Sequence, residues 1–369
     1  MPGGEVPIDR LGAAVYRIPT DQPDADGTIT WDATTMVVVH AEAGGMVGLG
    51  WTYGAAAGGA LVGDVLAPVI TGRCALDVPG AYHAMSRAVR NLGRPGIAAT
   101  AISAVDVALW DLKARLLGLR LARLLGVVHE EIPVYASGGF TSYDALRLTQ
   151  QLRVWVHGSG IPRVKIKIAE SWGMEVGRDL ARARRARDVI GPDTELYVDA
   201  NGGYQLKQAI RVGRVLDDLD VTWFEEPVSS DDLDGLREVR AEVTADVTAG
   251  EYGYDLSYFQ RMCAARAVDC LQVDVSRCGG ITEYLRVAAV AAAHGLSVSG
   301  HCAPHLHVDA AAATVNLRHL EWFHDHVRIE SMLFDGSLAP TGGLLRPDFS
   351  VPGHGLTLRT VDAERHRIG

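Results

Sequence analysis

The amino-acid sequence predicts an α/β fold: a (β/α)₈-type barrel preceded by a smaller α+β unit. The chain has 369 residues, more than the roughly 250–300 at which one hydrophobic core stops growing, so a large domain with a smaller one is expected. From Glu131 onward, short apolar runs alternate with amphipathic helical segments, a pattern typical of a parallel sheet with crossover helices. Most of these runs end in an ionisable residue, as barrel strands do at an active site.

The first part of the chain has the pattern of an antiparallel hairpin followed by a helix. Two β-rich runs, Thr35–His40 and Met46–Trp51, flank the glycine turn Ala43-Gly44-Gly45 and predict the hairpin. A helix is predicted where apolar residues recur at three- and four-residue steps in one stripe. The stripe consists of Ile102, Val105, Leu109, Leu112 and Leu116. This α+β unit is expected to end near Gly126.

The rest of the chain predicts the barrel. The eight candidate strands are Ile132–Ser137, Val164–Ile168, Leu196–Asn201, Trp223–Pro227, Val247–Glu251, Leu271–Val275, Leu296–His301 and Arg328–Ser331. Segments Trp172–Val189 and Leu206–Leu219 are predicted crossover helices, and Gly191-Pro192 ends the first. The stretch Phe334–Gly369 is expected to pack back on the N-terminal unit.

The composition predicts a globular, soluble protein, since 48% of the residues are hydrophobic and 22% are charged. No apolar run approaches the roughly 18 residues that cross a bilayer, and Met1–Glu5 lacks the pattern of a secretory signal, so we expect a cytoplasmic location. The five cysteines have no zinc-binding spacing and are expected to be reduced, buried thiols. A net charge of −10 argues against nucleic acid or an anionic membrane as the main partner.

Ionisable residues end every candidate strand from the second onward. They are Lys165 and Lys167, Asp199, Glu225, Glu251, Asp274, His301 and Glu330. Because active sites of barrels lie at the carboxyl ends of the strands, these separate segments would deliver their side chains to one mouth. One such charge could belong to a structural ion pair, whereas the whole series predicts a functional site.

Asp199, Glu225 and Glu251 predict a metal site. They lie 26 residues apart on three consecutive candidate strands, and converging carboxylates raise each other's pKa unless a cation binds them. Three oxygen ligands without Cys or His favour Mg²⁺ over Zn²⁺, with Mn²⁺ as a substitute. The alternative is a ring of salt bridges with Lys165, Lys167 and other cations, which the regular spacing disfavours.

Lys165-Ile166-Lys167 predicts a catalytic base. The two lysines alternate along a strand, so both point to the barrel interior. Two ammonium groups beside a divalent cation disfavour each other's charged form, which can lower a lysine pKa from about 10.4 to roughly 7–8. Alone, the motif would suggest a solvated surface pair.

Asp274 and His301 end neighbouring candidate strands, so the carboxylate can hold the imidazole in one tautomer and raise its basicity. Most of the 13 histidines are expected to be structural. The run Cys302–His307 places His305 and His307 close behind His301, and both are candidate substrate contacts.

These motifs resemble the enolase superfamily, and within it the mandelate racemase subgroup. The matching stretches are Val164–Ile168, Val198–Asn201, Trp223–Pro227, Ala249–Glu251, Gln272–Asp274 with Gly279-Gly280, and Ser299–His301. Upstream, Ala104–Leu112 and Leu124–Gly126 resemble the helix that leads into the family's barrel. The resemblance covers nearly the whole chain, in order.

The resemblance implies a modified (β/α)₇β TIM-type barrel with an N-terminal α+β capping domain. The implied division is 1–126 for the capping domain with its specificity loops, 127–335 for the barrel, and 336–369 for the C-terminal segment. By the same resemblance, Asp199, Glu225 and Glu251 would bind Mg²⁺. Lys167 would be a base tuned by Lys165, and the Asp274–His301 pair would be an acid or base on the opposite face of the substrate. Glu330 would form a hydrogen bond with the substrate carboxylate, and the implied substrate contacts are Ser137, Asn201 and, from the capping domain, Tyr53.

The implied chemistry is removal of a proton next to a carboxylate, with the metal stabilising the resulting enediolate. Two groups on opposite faces permit loss of water from an acid sugar or proton transfer by a racemase or epimerase. We favour an acid-sugar (aldonate or aldarate) dehydratase, because dehydration is widespread among relatives with this residue set. A cycloisomerase and a non-catalytic carboxylate-binding barrel are further alternatives. The expected partners are a small carboxylate and further copies of the chain in a homo-oligomer.

Overall fold

The computed structural model describes residues 5–369. Of the segment Met1–Glu5, for which no secretory signal is predicted, residues 1–4 lie outside the described residues. A three-stranded antiparallel sheet comes first, formed by β1 (Arg10–Ala25), β2 (Thr30–Ala43) and β3 (Met46–Tyr53). The predicted hairpin is confirmed, and its turn residues Gly44 and Gly45 have left-handed φ angles of 56° and 75°. No helix within residues 5–369 is both long and apolar enough to cross a bilayer.

Helices cover this sheet. They are α1 (Ala57–Leu61), α2 (Ala67–Ile70), α3 (Val78–Ala88), α4 (Ile97–Leu116) and α5 (Leu121–Leu125), with a π-helical turn at Val62–Leu66. The predicted apolar stripe lies on α4, which approaches β3 very closely. A Cβ on Gly48 or Gly50 would lie 2.2 Å from a carbonyl oxygen of α4, so only glycine permits this contact.

Eight parallel strands within the described residues close into a barrel, because the last strand pairs with the first. They are β4 (Ile132–Gly138), β5 (Arg163–Lys167), β6 (Glu195–Asp199), β7 (Val221–Glu225), β8 (Asp246–Ala249), β9 (Cys270–Val273), β10 (Ser297–Gly300) and β11 (Leu317–Phe323). The predicted barrel is confirmed, and the first seven predicted strands overlap the observed ones.

The eighth predicted strand is wrong. Arg328–Ser331 lies inside a helix, and the strand that closes the barrel is β11, some ten residues earlier. Inward positions of β11 carry His319 and Glu321, both buried. These polar residues interrupt the apolar pattern that identified the other strands, since side chains near a barrel mouth are polar for functional reasons.

Helices connect and follow the barrel strands. They are α6 (Ala145–Arg153), α7 (Glu170–Gly173), α8 (Val176–Ile190), α9 (Leu206–Asp217), α10 (Leu233–Glu242), α11 (Leu256–Ala264), α12 (Gly280–Ala293), α13 (Pro304–Ala312) and α14 (His324–Leu333), with a π-helical turn at Val154–Gly158. The predicted helix Trp172–Val189 is divided, because Ser171 and Trp172 have left-handed φ angles of 56° and 59°.

The C-terminal segment returns to the N-terminal sheet. It contains β12 (Phe334–Asp335), β13 (Leu344–Leu345), β14 (Thr357–Leu358) and α15 (Thr360–Glu364). Beyond α15 the chain runs along β1, where Arg17 N donates to His366 O at 2.8 Å and Ile368 N donates to Val15 O at 2.8 Å.

An aromatic layer fills the barrel below its mouth. Tyr135, Tyr197, Trp223 and His319 are all buried there, and the Tyr197 and Trp223 rings stack with centroids 5.3 Å apart. We call these four residues the lower layer. They form the floor on which the ionisable strand-end residues lie.

Candidate active site

Three carboxylates meet at the carboxyl ends of the barrel strands. Asp199 ends β6, Glu225 ends β7, and Glu251 follows β8. Asp199 and Glu225 are register partners, which places their side chains next to each other. One oxygen of each residue lies within 4.8 Å of the other two, and all three side chains are buried. We call this set the carboxylate triad.

Both lysines of β5 point into the barrel beside the triad. Lys165 Nζ lies 2.5 Å from Glu225 Oε1 and 3.5 Å from Asp199 Oδ2, and Lys167 Nζ forms an ion pair with Asp199. Burial opposes the charged form of each lysine, but the neighbouring carboxylates outweigh it and raise the pKa of both above its ordinary value. The sequence predicts a lowered pKa for these lysines beside a divalent cation, and that stays a prediction, because the raised pKa values arise from the protein groups alone.

The mouth of the barrel contains more acidic than basic groups. Burial and the neighbouring Asp199 raise the pKa of Glu225 to about 8, and burial and Glu251 raise the pKa of Glu226 well above its ordinary value. Among the described residues, six carboxyl groups face four basic groups here, so acidic groups outnumber basic ones by two, and the raised pKa values of Glu225 and Glu226 reflect this crowding. The groups are Asp199, Glu225, Glu226, Glu251, Asp274 and Glu321 against Lys165, Lys167, Arg277 and His301. Crowded carboxyl groups with oxygen donors fit a hard divalent cation, which would favour their ionised form.

The predicted pairing of Asp274 with His301 is present at the other end of the triad. His301 Nδ1 lies 2.7 Å from Asp274 Oδ2, and the second carboxylate oxygen accepts hydrogen bonds from Ser276 N at 2.6 Å and Ser276 Oγ at 2.7 Å. His301 Nε2 lies 3.2 Å from Glu251 Oε2. Burial opposes the imidazolium, yet Cys302, Glu251 and Asp274 together raise the pKa of His301 well above its ordinary value. Lys167 and His301 thus reach the triad from opposite ends.

Glu321 takes the place that sequence reasoning gave to Glu330. Glu321 projects inward from β11, and its Oε1 lies 2.8 Å from Lys165 Nζ. Its Oε2 accepts a hydrogen bond from Cys302 N at 2.8 Å. The sequence signal was the run Leu317–Phe323, whose aromatic and apolar residues surround one inward glutamate, but its polar positions concealed the strand.

Glu330 belongs to a separate buried group. It lies on α14, where its Oε1 accepts a hydrogen bond from the Tyr53 hydroxyl at 3.1 Å and its Oε2 pairs with His305 Nδ1. His305 Nε2 accepts a hydrogen bond from Leu338 N at 2.8 Å. Within residues 5–369, no hydrogen bond or ion pair joins Tyr53, His305 or Glu330 to the triad. These three predicted site residues instead tie the N-terminal sheet to the barrel.

Ser137 and Asn201 lie at the mouth itself. Ser137 is the register partner of Lys165, and its buried hydroxyl makes no hydrogen bond among the described residues. Asn201 has a left-handed φ of 45°, and its backbone N donates to Asp199 Oδ1 at 2.9 Å. Its side-chain oxygen is also buried without a hydrogen bond in the described chain. Both groups are free to contact a bound molecule.

A thiol stands next to the histidine. Cys302 Sγ lies 3.2 Å from His301 Nε2 and 3.4 Å from Glu321 Oε2. Burial and the charge of Glu321 raise the pKa of this thiol to about 12. Cys302 had been expected to be one more inert buried cysteine, and its position beside the imidazole is not visible in the sequence.

A cavity of about 680 Å³ opens beside the triad. It brings residues of the N-terminal unit, Thr28 and Ile29, together with the barrel residues Asn201, Glu226 and Tyr252. Among the described residues, its lining includes the sequence neighbours of the triad but no member of the triad itself.

Two family models match the chain. Residues 14–126 match the mandelate racemase / muconate lactonizing enzyme N-terminal domain, and residues 147–363 match the enolase C-terminal domain-like family. The chain belongs to the mandelate racemase/muconate lactonizing enzyme family of the enolase superfamily. The resemblance stated from the sequence motifs is thereby confirmed, and the chain is a lyase or an isomerase of this superfamily.

Similar proteins carry acid-sugar and racemase names. The L-talarate/galactarate dehydratase of Salmonella typhimurium is 31% identical over 301 residues, 80% of this chain and 75% of its own. A mandelate racemase/muconate lactonizing enzyme-like protein from Rubrobacter xylanophilus is 48% identical, with a TM-score of 0.95 over 98% of this chain and 100% of its own. A Streptomyces coelicolor A3(2) racemase with bound magnesium is 30% identical, with a TM-score of 0.92 over 98% and 100%. Other relatives of the family are named arabinonate, D-gluconate and L-rhamnonate dehydratase, D-galactarolactone cycloisomerase and 3,6-anhydro-alpha-L-galactonate cycloisomerase.

Proposed function

We propose that this chain is a Mg²⁺-dependent acid-sugar dehydratase, acting on an aldonate or aldarate. The observation that carries the proposal is the position of two proton-transfer groups at opposite ends of one carboxylate triad. Lys167 pairs with Asp199 at one end, and His301 Nε2 lies 3.2 Å from Glu251 at the other. A substrate carboxylate held between them would present one face to each group.

Asp199, Glu225 and Glu251 would hold the magnesium ion, with manganese as a substitute. Their oxygen donors and the excess of acidic over basic groups at the mouth support this assignment. When bound, Mg²⁺ would supply Lewis-acid stabilisation of the negative charge that develops on the substrate carboxylate, and would draw carboxylate charge away from the lysines.

Lys167 would act as the base. It lies at the end of β5 with its ammonium group at the triad, so the α-proton of a bound carboxylate would point toward Nζ from that side. Lys165 is held by Glu225 and Glu321 and would stay charged, where it can contact the substrate carboxylate. In this assignment Glu321 positions Lys165, and Glu330 does not act on the substrate.

His301 would act as the acid. Asp274 holds its Nδ1, and the raised pKa favours the imidazolium, so Nε2 can donate a proton to a leaving hydroxyl. The C2–H bond breaks toward Lys167, its electron pair forms the C2–C3 double bond, and the C3–O bond breaks as the hydroxyl leaves as water. Tautomerisation of the enol then yields a 2-keto-3-deoxy acid.

Ser137, Asn201 and the open cavity would accommodate the hydroxyl groups of such a substrate. The first two offer side-chain oxygens that are buried without a partner in the described residues, and a polyhydroxylated chain can satisfy them. The N-terminal unit, about residues 1–126, would close the cavity as a capping domain through Thr28 and Ile29.

A racemase or epimerase is the second candidate, because groups on opposite faces also suit removal and return of one proton. Cycloisomerases among the relatives make ring chemistry a third possibility. Dehydration requires an acid on the side of the leaving group, and the Asp274–His301 pair with its raised pKa supplies one.

The test is to incubate the Mg²⁺-loaded enzyme with a panel of acid sugars in deuterated water and to measure 2-keto-3-deoxy acid and deuterium at C2. We expect keto acid from at least one sugar. His301→Asn should lose keto acid yet keep C2 exchange, and Lys167→Ala should lose both. The exposed residues His294 and Lys207 provide matched controls, as His294→Asn and Lys207→Ala.

Deuterated or inverted substrate without keto acid from any sugar would establish epimerisation instead of dehydration. Identical loss of exchange in His301→Asn and Lys167→Ala with every substrate would contradict the assignment of one group to each face.

A further inference from the structure

We propose that His301, Cys302 and Glu321 form a second metal site, suited to a thiophilic divalent ion such as Zn²⁺, and that its occupation inhibits the enzyme. Nε2, Sγ and Oε2 of these residues lie within 4.8 Å of one another, and all three side chains are buried. The carboxylate triad consists only of oxygen donors, whereas this set combines nitrogen, sulfur and oxygen.

The ligand separations match a tetrahedral zinc site. His301 Nε2 lies 3.2 Å from Cys302 Sγ and 3.8 Å from Glu321 Oε2, and the Sγ to Oε2 distance is 3.4 Å. Bond lengths of about 2.3 Å to sulfur and about 2.0–2.2 Å to nitrogen and oxygen require ligand separations of about 3.4–3.6 Å in a tetrahedron. Only small side-chain shifts would be needed to complete the geometry.

The histidine is oriented as zinc-binding histidines usually are. Its Nδ1 is engaged by Asp274 Oδ2 at 2.7 Å, which leaves Nε2 facing Cys302. A carboxylate on the far nitrogen fixes the tautomer and increases the basicity of a ligating imidazole. His301 therefore offers its lone pair to the new site when it is neutral.

Glu251, a member of the carboxylate triad, brings one further oxygen next to the histidine of the new site. Its Oε2 is buried and makes no hydrogen bond of ordinary geometry within residues 5–369, and it lies 3.2 Å from His301 Nε2. An unpaired carboxylate oxygen facing the same nitrogen is the kind of donor that a bound cation would satisfy. Glu251 would then lie between the hard triad and the softer site.

The local backbone explains how adjacent residues share one site. Successive side chains in a strand point to opposite faces, but β10 ends at Gly300, and Cys302 and Ala303 have left-handed φ angles of 49° and 36°. This turn brings the Cys302 thiol back toward the His301 ring.

Inhibition follows from the role of the imidazole. Zinc binding would displace both the thiol proton of Cys302 and the Nε2 proton of His301 to solvent and would occupy the Nε2 lone pair, so His301 could no longer donate a proton from Nε2 to a leaving hydroxyl. This part rests on the proposed function, whereas binding of the ion does not.

The binding test uses Co²⁺ as a spectroscopic substitute, added to the full chain in excess Mg²⁺. We expect a thiolate-to-cobalt charge-transfer band that saturates at one ion per chain. The band should disappear in Cys302→Ser and remain in Cys74→Ser, since Cys74 is the most accessible cysteine among the described residues. Anomalous diffraction at the zinc edge, from wild-type crystals soaked in Zn²⁺ and Mg²⁺, locates the ion without any variant.

The inhibition test measures turnover against Zn²⁺ concentration, relative to each variant's own activity. The half-inhibitory concentration should rise by at least about tenfold in Cys302→Ser. A cobalt band unchanged in Cys302→Ser, or anomalous density only at Asp199, Glu225 and Glu251, would overturn the site. A band without inhibition would overturn the inhibitory role alone. The cobalt band is measured without substrate. It therefore tests metal binding at His301, Cys302 and Glu321 even if the enzyme turns over no acid sugar and the proposed function is wrong.

Discussion

The barrel interior contains two layers of opposite character. In the lower layer, the Tyr197 hydroxyl lies 3.3 Å from His319 Nε2, and His319 Nδ1 lies 3.0 Å from Ser299 Oγ. Burial and the charge of Arg318 lower the pKa of His319 well below its ordinary value, so its ring is neutral. This layer is therefore uncharged, and its polar groups are hydrogen-bonded to one another or to neighbouring side chains, as Trp223 Nε1 donates to Glu225 Oε2 at 2.9 Å.

The mouth layer above it is charged and incompletely paired. Among the described residues, its buried oxygens without hydrogen bonds include those of Ser137, Asn201, Glu226 and Glu251. Unpaired buried polar groups cost stability, so their concentration at one level indicates that a bound ion and substrate complete them. Under the proposed function, the lower layer stabilises the fold, and the mouth layer serves binding and proton transfer. Substitutions in the two layers should therefore have different effects.

The use of lysine instead of arginine at the mouth supports a role in proton transfer for the mouth layer. The chain has 35 lysines and arginines, of which only four are lysines, yet two of the four are the buried residues Lys165 and Lys167. An arginine would match carboxylates at least as well, but its guanidinium does not release a proton in proteins. Lysine at these positions favours proton transfer over a purely structural ion pair.

The largest effect is expected from removal of the divalent metal. A chelator should abolish turnover while far-ultraviolet circular dichroism stays unchanged, because the triad lies above an intact lower layer. Adding Mg²⁺ at a hundredfold excess over its Kd should stabilise the fold by about 2.7 kcal/mol, measured as a rise in Tm. Glu225→Gln should mimic chelation, with the exposed Glu242→Gln as control. Activity within a few-fold of wild type after either treatment would refute the metal assignment.

Lys167→Ala should lower kcat by about 10²–10⁴-fold, the usual contribution of a general base, while the metal-free and Mg²⁺-loaded proteins stay folded. Lys167→Arg should not restore activity, because a guanidinium cannot accept the α-proton. Steady-state kinetics on the best acid sugar, with Lys207→Ala as control, measures both. Substantial activity in Lys167→Arg would show that Lys167 serves only as a positive charge.

Comparing Glu321→Gln with Glu330→Gln tests which glutamate belongs to the active site. The structure places Glu321 there, whereas the sequence predicted Glu330. Glu321 touches Lys165, so its substitution should lower kcat/KM by about 10–100-fold, as for other residues that orient a metal-site group. Glu330→Gln should chiefly lower the free energy of unfolding, by about 1–3 kcal/mol, because Tyr53 and His305 lose a charged partner. Kinetics and urea denaturation of both variants provide the comparison, and the reverse pattern would restore Glu330 to the site.

The sequence predicted the ionisable residues of the mouth layer more accurately than it predicted the eighth barrel strand. Residues at the ends of apolar runs, such as Asp199 and Glu225, were found because the run itself is easily recognised and strand ends converge in a barrel. β11 was missed because Arg318, His319 and Glu321 interrupt the apolar pattern by which a strand is recognised. Arg328–Ser331 has one apolar residue, Ile329, and fits a helix equally well.

Other features depend on distances that no sequence pattern contains. The direction of the lysine pKa shift depends on how many carboxylates lie within a few ångströms of Nζ. The contact of Cys302 with His301 depends on two left-handed backbone residues that are not glycines. Lone cysteines and histidines therefore gave no signal for this arrangement.

The smallest effect is expected in the lower layer, from Tyr197→Phe. Removing the hydroxyl deletes a hydrogen bond of 2.8 Å to Glu195 Oε2 and a contact with His319, but the ring and its stacking on Trp223 remain. The side chain of Glu195 is 38% exposed, so water can replace the lost donor, and the free energy of unfolding should fall by only about 0.5–1.5 kcal/mol. The urea midpoint should decrease while kcat/KM stays within about twofold of wild type. A tenfold loss of kcat at an unchanged midpoint would show that the two layers are coupled, and that the floor of the barrel takes part in catalysis.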